Sequence, residues 1–226
     1  VEYVVLGGLV KRALLPAKVE GTEGYSWFLV DLDADGIDAS EPVLSLGMHA
    51  CPAVDLSLSA VPGALVGEEG RGGEYFEAAV DRLSAAAAAM AAGVMKGSFA
   101  EALEYSRQRE QGGRLIVDWS GLRVMLADMA LKAKVADMLV EKAAFAADRG
   151  ELGWQLASRA AALMVGEMAT VATTDGIQAL GGYGYMKDYG QEKRFRDAKQ
   201  IQSLMGITHM RRLQFMQRVM DGEAAW

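Results

Sequence analysis

Cysteine, proline and long apolar runs are scarce in this sequence. Cys51 is its one cysteine, so no disulfide can form within the chain, and we expect a cytoplasmic protein. The four prolines all lie at or before Pro62, which leaves the rest of the chain free to form long helices. Charged residues or glycine interrupt every apolar run before about 18 residues, so we expect no membrane span.

Basic residues and histidine are also few. The 23 Lys and Arg against 30 Asp and Glu give a net charge of -7, which argues against nucleic acid as a partner, because phosphate binding needs clustered Lys and Arg. His49 and Cys51 are too few ligands for a zinc site, so we expect no metal. His209, the other histidine, is either a surface residue or a base, since histidine titrates near neutrality.

Two domains are predicted, with a boundary at residue 70. Residues 1–70 contain short apolar runs separated by Gly, Pro and Asp, and we predict strands over 1–5, 13–19, 26–31 and 54–61. The chain begins inside an apolar strand that would normally have neighbours, so we expect further sequence upstream.

Residues 71–226 are predicted to form a four-helix bundle, because apolar residues recur at helical spacing. We predict helices over 74–108, 119–149 and 154–180, and a fourth over 189–220 that breaks near Gly206. The alanine run over 85–92 predicts a close helix contact, and the methionines over 205–220 are expected to pack the bundle. The fold class is therefore α+β and mostly α, with part of an antiparallel β-domain before the bundle.

The segment from Asp175 to Tyr185 reads Asp-Gly-Ile-Gln-Ala-Leu-Gly-Gly-Tyr-Gly-Tyr. Glycines at this position end a helix and can expose backbone N–H groups to an anion. A helix cap alone would also explain them. The residues by themselves leave both interpretations open.

This segment, followed by Arg-Asp-Ala-Lys at 196–199, resembles the acyl-CoA dehydrogenase family. Further blocks fit in the same order: Tyr105-x-x-x-Arg109 followed by Leu-Ala-Asp-Met at 126–129, and Val61-Pro62 followed by Leu-Val-Gly-Glu-Glu-Gly at 65–70. The resemblance covers essentially the whole chain. It implies that the chain corresponds to part of the family's middle β-domain and its C-terminal bundle.

The resemblance implies an FAD flavoprotein of fatty acid metabolism, in which a glutamate takes the α-proton of an acyl-CoA thioester and the hydride passes to flavin N5. It also implies an electron-transfer flavoprotein as partner and a dimeric or tetrameric assembly. Arg109 matches an arginine that reaches the FAD of a neighbouring subunit, unless it forms only an exposed salt bridge. Gln178, Gly181 and Gly182 match an element that approaches the same cofactor with backbone groups.

Several positions depart from the family pattern. The catalytic glutamate matches Met205, and the alternative position used by some members matches Leu83, so neither supplies a base. No Asp or Glu lies between Asp197 and Asp221 to take over this role.

The flavin contacts depart as well. Tyr3 matches a tryptophan, and Val5 and Ile207 match threonines, so hydroxyl donors are lost. On the adenine side a phenylalanine matches Gly112 and a glutamine matches Ser120, so an aromatic contact and a hydrogen bond are lost.

Two hypotheses follow. In the first, the chain belongs to an acyl-CoA dehydrogenase-like enzyme that desaturates acyl-CoA thioesters with FAD, although this chain alone is inactive. In the second, it is a catalytically silent structural subunit of a hetero-oligomeric dehydrogenase. Both predict a homo- or hetero-oligomer.

Overall fold

A computed structural model describes residues 1–223 and divides the chain into two compact units. The first unit spans Val1–Ala79 and the second begins at Val80. The change from strands to helices was predicted at residue 70, and the first long helix begins at Gly72. The first turns of that helix, as far as Ala79, therefore belong to the first unit.

Short antiparallel strands form the first unit, because β-branched and other apolar residues favour pleated, half-buried segments. One sheet has the strand order β2-β3-β7, β1 pairs with β5, and β4 pairs with β6. The strands are β1 (Val4–Val5), β2 (Arg12–Ala17), β3 (Ser26–Asp31), β4 (Ile37–Ala39), β5 (Ala53–Val54), β6 (Leu56–Leu58) and β7 (Gly63–Val66).

The strand predicted over 26–31 is confirmed with the same bounds as β3, whereas the strand predicted over 54–61 was too long. Val54 and Leu56 are buried, as their alternation with polar residues predicted, but they belong to strands with different partners. The chain then turns at Ala60, whose φ of 54° is left-handed. The alternation of apolar and polar residues identified which side chains are buried, but it could not identify which strands pair with each other.

Long helices form the second unit, and the helices predicted over 119–149 and 154–180 are confirmed to within one residue. The predicted break near Gly206 separates the last two helices. A hairpin of β8 (Glu110–Gln111) and β9 (Arg114–Leu115) was not predicted. The helices are α1 (Gly72–Ser106), α2 (Ser120–Arg149), α3 (Trp154–Leu180), α4 (Gly182–Tyr185), α5 (Gln191–Gln202) and α6 (Thr208–Met220).

Small side chains fill the core of the bundle, and they allow the helices to approach closely. The predicted contact along the alanine run is confirmed, because Ala88 and Ala91 are fully buried and the N–H of Ala85 donates to Ser158 Oγ of α3 at 3.0 Å. One side of the alanine run therefore packs within the chain, while Ala86, Ala89 and Met90 on its other side are exposed.

The expectation that the last methionines pack the bundle was wrong for most of them. Met210, Met216 and Met220 are exposed, and none of the residues of α6 is buried in the part of the chain that the structure describes. Polar contacts hold α6 instead, each from an arginine to the rest of the bundle: Arg211 to the carbonyl of Met205, Arg212 to Glu167, and Arg218 to Asp81.

By length and composition alone, α1 could cross a membrane, with a mean hydropathy of 1.3 over an 18-residue window. Its buried face, however, carries Ser84, Ser98 and Ser106, and Ser98 Oγ donates to Gln191 Oε1 of α5 at 2.6 Å. A long apolar helix with one face packed against its neighbours is typical of a bundle core.

Candidate functional site

The C-terminal ends of α1 and α3 meet at one end of the bundle. Tyr105, Tyr183 and Tyr189 pack there with ring centroids 5.5 to 6.4 Å apart, and we call this region the tyrosine end. Each such aromatic pair is worth about 0.5 to 1.5 kcal/mol beyond its buried area. The buried cluster that these rings adjoin draws on α1, α2 and α3, and consists of Ala102, Leu126, Met129, Ala179 and Leu180.

Arg109 lies at the tyrosine end. Its N–H donates to the carbonyl of Tyr105, one turn earlier, at 2.9 Å. The side chain is exposed, and within residues 1–223 its guanidinium makes no hydrogen bond or ion pair. The exposed salt bridge that was the alternative role for Arg109 is therefore not formed within these residues, and the charge of Arg109 faces solvent.

Gln178, Gly181 and Gly182 lie at the junction of α3 and α4, directly before Tyr183. The N–H of Gly181 donates to the carbonyl of Gln178 at 3.1 Å, so the helix cap is present. Gly181 has φ 57° and ψ -133°, a conformation that glycine adopts readily. A Cβ at Gly181 or Gly182 would meet nothing within 4 Å, so a ligand or a second chain can approach this backbone closely.

The contact between Tyr105 and Tyr183 thus brings the segment that follows α1, which carries Arg109, close to the α3–α4 junction, which carries Gly181 and Gly182. An exposed guanidinium and open glycine backbone are chemically suited to a diphosphate, because Arg pairs with phosphate through two hydrogen bonds. These residues fit a diphosphate group such as the one that FAD contains.

An aromatic ring that was not singled out from the sequence packs against the hairpin that follows Arg109. Trp119 Nε1 donates to the carbonyl of Gln111 at 3.2 Å, and the Arg114 guanidinium lies 3.5 Å from the centre of the Trp119 ring. The signal available in the sequence was the position of Trp119 directly before the apolar residues of α2, which recur at helical spacing.

A carboxylate near the end of α3 is electrostatically perturbed. Burial raises the pKa of Asp175, the charge of Asp128 raises it further, and Lys132 on α2, 3.9 Å away, acts in the opposite direction.

Met205 lies on the link between α5 and α6 and lines a small cavity of about 30 Å³. Its carbonyl accepts a hydrogen bond from Arg211 Nε at 2.5 Å, and Gly206 follows with φ 110°. Other polar groups around this cavity are Ser84, Arg159, Gln202 and Thr208, while most of the remaining wall is apolar. The volume is about that of a single water molecule.

The other predicted site residues do not gather around this cavity. Leu83 is 54% exposed and Ile207 is 71% exposed. His209 lies on the exposed surface of α6, so the surface interpretation of this histidine is the one that its position supports. In the first unit, Tyr3 directly precedes β1 and Val5 is its last residue, and the N–H of Tyr3 donates to Asp55 Oδ1 at 2.8 Å.

Sequence reasoning missed a buried charge cluster on α1, α3 and α6. Asp81 accepts hydrogen bonds from Arg159 Nε at 2.5 Å and from Arg218 Nη1 at 3.1 Å. A single arginine within the apolar stretch of α3 was the available signal. Among residues 1–223, no three His, Cys, Asp or Glu side chains are grouped so that they could hold a metal ion.

Comparison with known proteins identifies the family. Residues 70–220 match the description "Acyl-CoA dehydrogenase, C-terminal domain". The chain belongs to the acyl-CoA dehydrogenase family. The match includes Arg109, Gln178, Gly181 and Gly182, whereas Tyr3 and Val5 precede it.

Individual acyl-CoA dehydrogenases agree with this assignment. The chain is 35% identical over 208 residues to cyclohexane-1-carbonyl-CoA dehydrogenase of Geobacter metallireducens, which covers 91% of this chain and 54% of that protein. It is 32% identical to cyclohex-1-ene-1-carbonyl-CoA dehydrogenase of Syntrophus aciditrophicus, covering 86% of this chain and 48% of the relative.

A solved acyl-CoA dehydrogenase structure has the same fold. Butyryl-CoA dehydrogenase from Megasphaera elsdenii superposes with a TM-score of 0.91 at 26% identity, covering 97% of this chain and 58% of that one. The chain therefore spans about half the length of the curated relatives that it matches. The predicted fold class, mostly α with small antiparallel sheets, is confirmed.

Proposed function

We propose that this chain forms the cofactor-contacting half of an acyl-CoA dehydrogenase-like flavoprotein, which binds FAD and acts on acyl-CoA thioesters. The observation that carries the proposal is the convergence of Arg109 with Gly181 and Gly182 at the tyrosine end. These residues combine an exposed positive charge with accessible backbone, the two features that a diphosphate requires.

In this proposal Arg109 pairs with the cofactor diphosphate, while Gly181 and Gly182 let it approach the backbone. FAD, when bound, supplies the hydride acceptor for α,β-desaturation. By the family resemblance, the cofactor that Arg109 contacts would be one held by a neighbouring subunit, and the side chain of Arg109 is exposed, as that contact requires. We therefore expect a homo- or hetero-oligomer.

The chain alone is proposed to be inactive. Met205 occupies the position of the catalytic base in the family pattern, and a thioether cannot accept a proton. Leu83, at the alternative position, is equally unable to act as a base. The cavity beside Met205 is about 30 Å³, too small for an acyl chain.

A second function, that of a silent subunit, is favoured by Val5 and Ile207. Val5 and Ile207 lack the hydroxyl of a threonine, so the chain could be a silent subunit that completes a partner's FAD site through Arg109. In that case the purified protein would bind flavin only when its catalytic partner is present. An electron-transfer flavoprotein would be the electron acceptor under either hypothesis, and a cytoplasmic location stays a prediction.

The test is flavin occupancy of the protein expressed from its complete gene. We expect bound flavin, visible in the absorption spectrum, and Arg109→Ala should reduce affinity about tenfold or more, because a charge-assisted hydrogen bond is lost. Arg107→Ala is the matched control, since Arg107 is also exposed on the segment that follows α1. Equal occupancy in wild type and Arg109→Ala would contradict the role of Arg109.

Two further outcomes separate the hypotheses. A protein that binds flavin by itself supports the enzyme. A colourless protein that gains flavin only with a co-expressed dehydrogenase subunit supports the silent subunit.

A further inference from the structure

The small cavity beside Met205 has positive charge in its wall. Two of the residues that line it are arginines, Arg159 and Arg211, and within the described part of the chain neither an Asp nor a Glu lines it. The side chain of Arg159 is 4% exposed, so its charge acts in surroundings that weaken electrostatic forces far less than water does. A cavity with charge of one sign and low-dielectric walls attracts ions of the opposite sign.

The acid behind this wall is shared between two arginines. Asp81 accepts hydrogen bonds from both Arg159 and Arg218. One carboxylate can offset at most half of the combined charge of two guanidiniums. Glu223 lies 3.5 Å from Arg218, but this acid is 47% exposed, and solvent weakens such a pair.

Arg211 is held against the cavity by the link between α5 and α6. Its Nε donates to the carbonyl of Met205 at 2.5 Å, and its Nη1 donates to Gln214 Oε1 at 2.8 Å. A Cβ at Gly206 would lie 2.9 Å from Arg211 Nε, so glycine at this position leaves room for the guanidinium. The fold of the link therefore fixes this positive charge beside the cavity.

Further hydrogen-bond donors adjoin the cavity. Gly206 and Thr208 line it on either side of Ile207, the N-cap of α6, whose apolar side chain cannot cap the helix. The first N–H groups of a helix have no acceptor within the helix, and with the helix dipole they attract anions. Gln202 also lines the cavity, and its Oε1 accepts a hydrogen bond from Lys199 at 3.0 Å, so the other end of this amide is a donor.

The size of the cavity limits what it can hold. Its volume of about 30 Å³ has room for roughly one water-sized group. Sulfate, phosphate and acyl chains are too large. A halide such as chloride combines the required charge with the required size.

We propose that the cavity beside Met205 is a binding site for one small monovalent anion of the size of chloride. Arg159 and Arg211 supply the charge, and the N-terminus of α6 supplies further donors. The anion joins α3 to the link between α5 and α6, so its binding stabilises the segment that carries Met205. This site does not depend on flavin, and its failure would leave the proposed function untouched.

The experiment measures Tm of the full chain in sodium chloride. Sodium gluconate at equal ionic strength is the reference, because gluconate is too large for the cavity. A ligand that binds only the native state raises Tm with its concentration, so we expect a saturable rise in chloride alone. Arg211→Gln should increase the chloride concentration for half of this rise at least tenfold.

Arg212→Gln is the matched control. Arg212 is the next residue of α6, but it pairs with Glu167 at 2.6 Å and does not line the cavity, so its replacement should leave the chloride dependence unchanged. Ala162→Leu tests the cavity in another way, since Ala162 lines it and the larger side chain fills it while both arginines remain. This variant should lose the chloride effect.

Bromide, a heavier halide of similar size, locates the site in crystals by its anomalous scattering, and we expect a peak in the cavity. Equal Tm values of wild type in chloride and gluconate would overturn the proposal, and a bromide peak in that case would mark an adventitious ion only. Equal weakening by Arg211→Gln and Arg212→Gln would also overturn it, because it would show general screening of surface charge.

Discussion

Asp81 and Arg159 form a buried ion pair that joins α1 to α3. Their side chains are 9% and 4% exposed, and the Arg159 Nε to Asp81 Oδ1 distance is 2.5 Å. Arg218 of α6 donates to the same carboxylate, so one acid on α1 links two other helices. Charges buried in this way are stable only when paired, and the pair therefore constrains how these helices meet.

Replacing Asp81 by asparagine should destabilise the fold by about 3 to 5 kcal/mol, because it removes the carboxylate on which two guanidiniums converge. Urea unfolding measures the change in the free energy of unfolding. The control is Asp137→Asn, which removes an exposed pair with Lys96 and should cost less than about 1 kcal/mol. Similar losses for both variants would contradict the special role of the buried pair.

Gly176→Ala should destabilise the bundle, although alanine is the better helix former. A Cβ at Gly176 would lie 2.1 Å from Ser98 Oγ and 2.5 Å from Gln191 Oε1, which are hydrogen bonded to each other in the core. Such overpacking costs about 1 to 3 kcal/mol. Thermal unfolding should show a lower Tm for the variant.

Gly93→Ala is the matched control for Gly176. Gly93 is also helical, but a Cβ there meets nothing within 4 Å, so alanine should stabilise α1 by roughly 0.5 to 1 kcal/mol. Opposite signs for the two glycines are expected. A stabilised Gly176→Ala would mean that the core near Ser98 can rearrange.

Much of the helical architecture was predictable, because helix formation depends on local features. The absence of proline after Pro62 and the abundance of alanine fixed the long helices, and the glycines at 181 and 206 marked breaks. The strands were harder, since Val54 and Leu56 pair with strands that are distant in sequence. Pairing depends on tertiary contacts that periodicity does not encode.

The candidate site was predictable only in part. Resemblance identified Arg109 and Gly181, but their convergence rests on the contact between Tyr105 and Tyr183, which no local pattern specifies. Asp81 and Arg159 are 78 residues apart, so their pairing was equally invisible. The packing of Trp119 against the hairpin could not be predicted either, because its ring approaches Gly112 only in the folded structure.

Asp175 gives a prediction about pH. Its pKa is raised above the ordinary 3.8, chiefly by burial, so the folded state binds this proton more tightly than the unfolded state does. The contribution of Asp175 to the stability of the fold is therefore most favourable at pH values below its ordinary pKa. That contribution is lost as pH rises through the folded-state pKa. Asp175→Asn should gain stability relative to wild type as pH rises from about 3 to 7, measured as Tm.

Glu192→Gln should show the opposite trend. The hydrogen bond from Arg196 lowers the pKa of Glu192 below 4.5, so this carboxylate stabilises the fold above its ordinary pKa and loses that contribution as pH falls. The variant should therefore lose stability relative to wild type as pH rises. If both variants followed the same trend, the electrostatic explanation would be wrong.

The surface of α2 predicts assembly. Val124, Leu131, Met138 and Phe145 recur every seven residues and are all more than half exposed, which makes a continuous apolar stripe. We expect a dimer or tetramer by light scattering. Replacing both Leu131 and Met138 by glutamate should shift it to a smaller species, whereas Lys134→Glu, on the neighbouring exposed row, should not. A wild-type monomer at micromolar concentration would contradict this prediction.

The last prediction is that this 226-residue chain alone does not dehydrogenate acyl-CoA, and that Met205→Glu does not restore activity to it. The α-proton of a thioester needs a positioned base, and general-base catalysis is worth about 10² to 10⁴-fold. Glutamate at residue 205 would supply the base, but the chain spans about half the length of its relatives, and Val5 and Ile207 add no hydroxyl. In the protein from the complete gene, the same substitution could create activity if FAD is bound.

The assay is reduction of an artificial electron acceptor with short, medium and long acyl-CoAs. Turnover by the unmodified chain with any of these substrates would refute both the assignment of Met205 to the base position and the incomplete site, because the α5–α6 link, residues 203–207, carries no Asp or Glu.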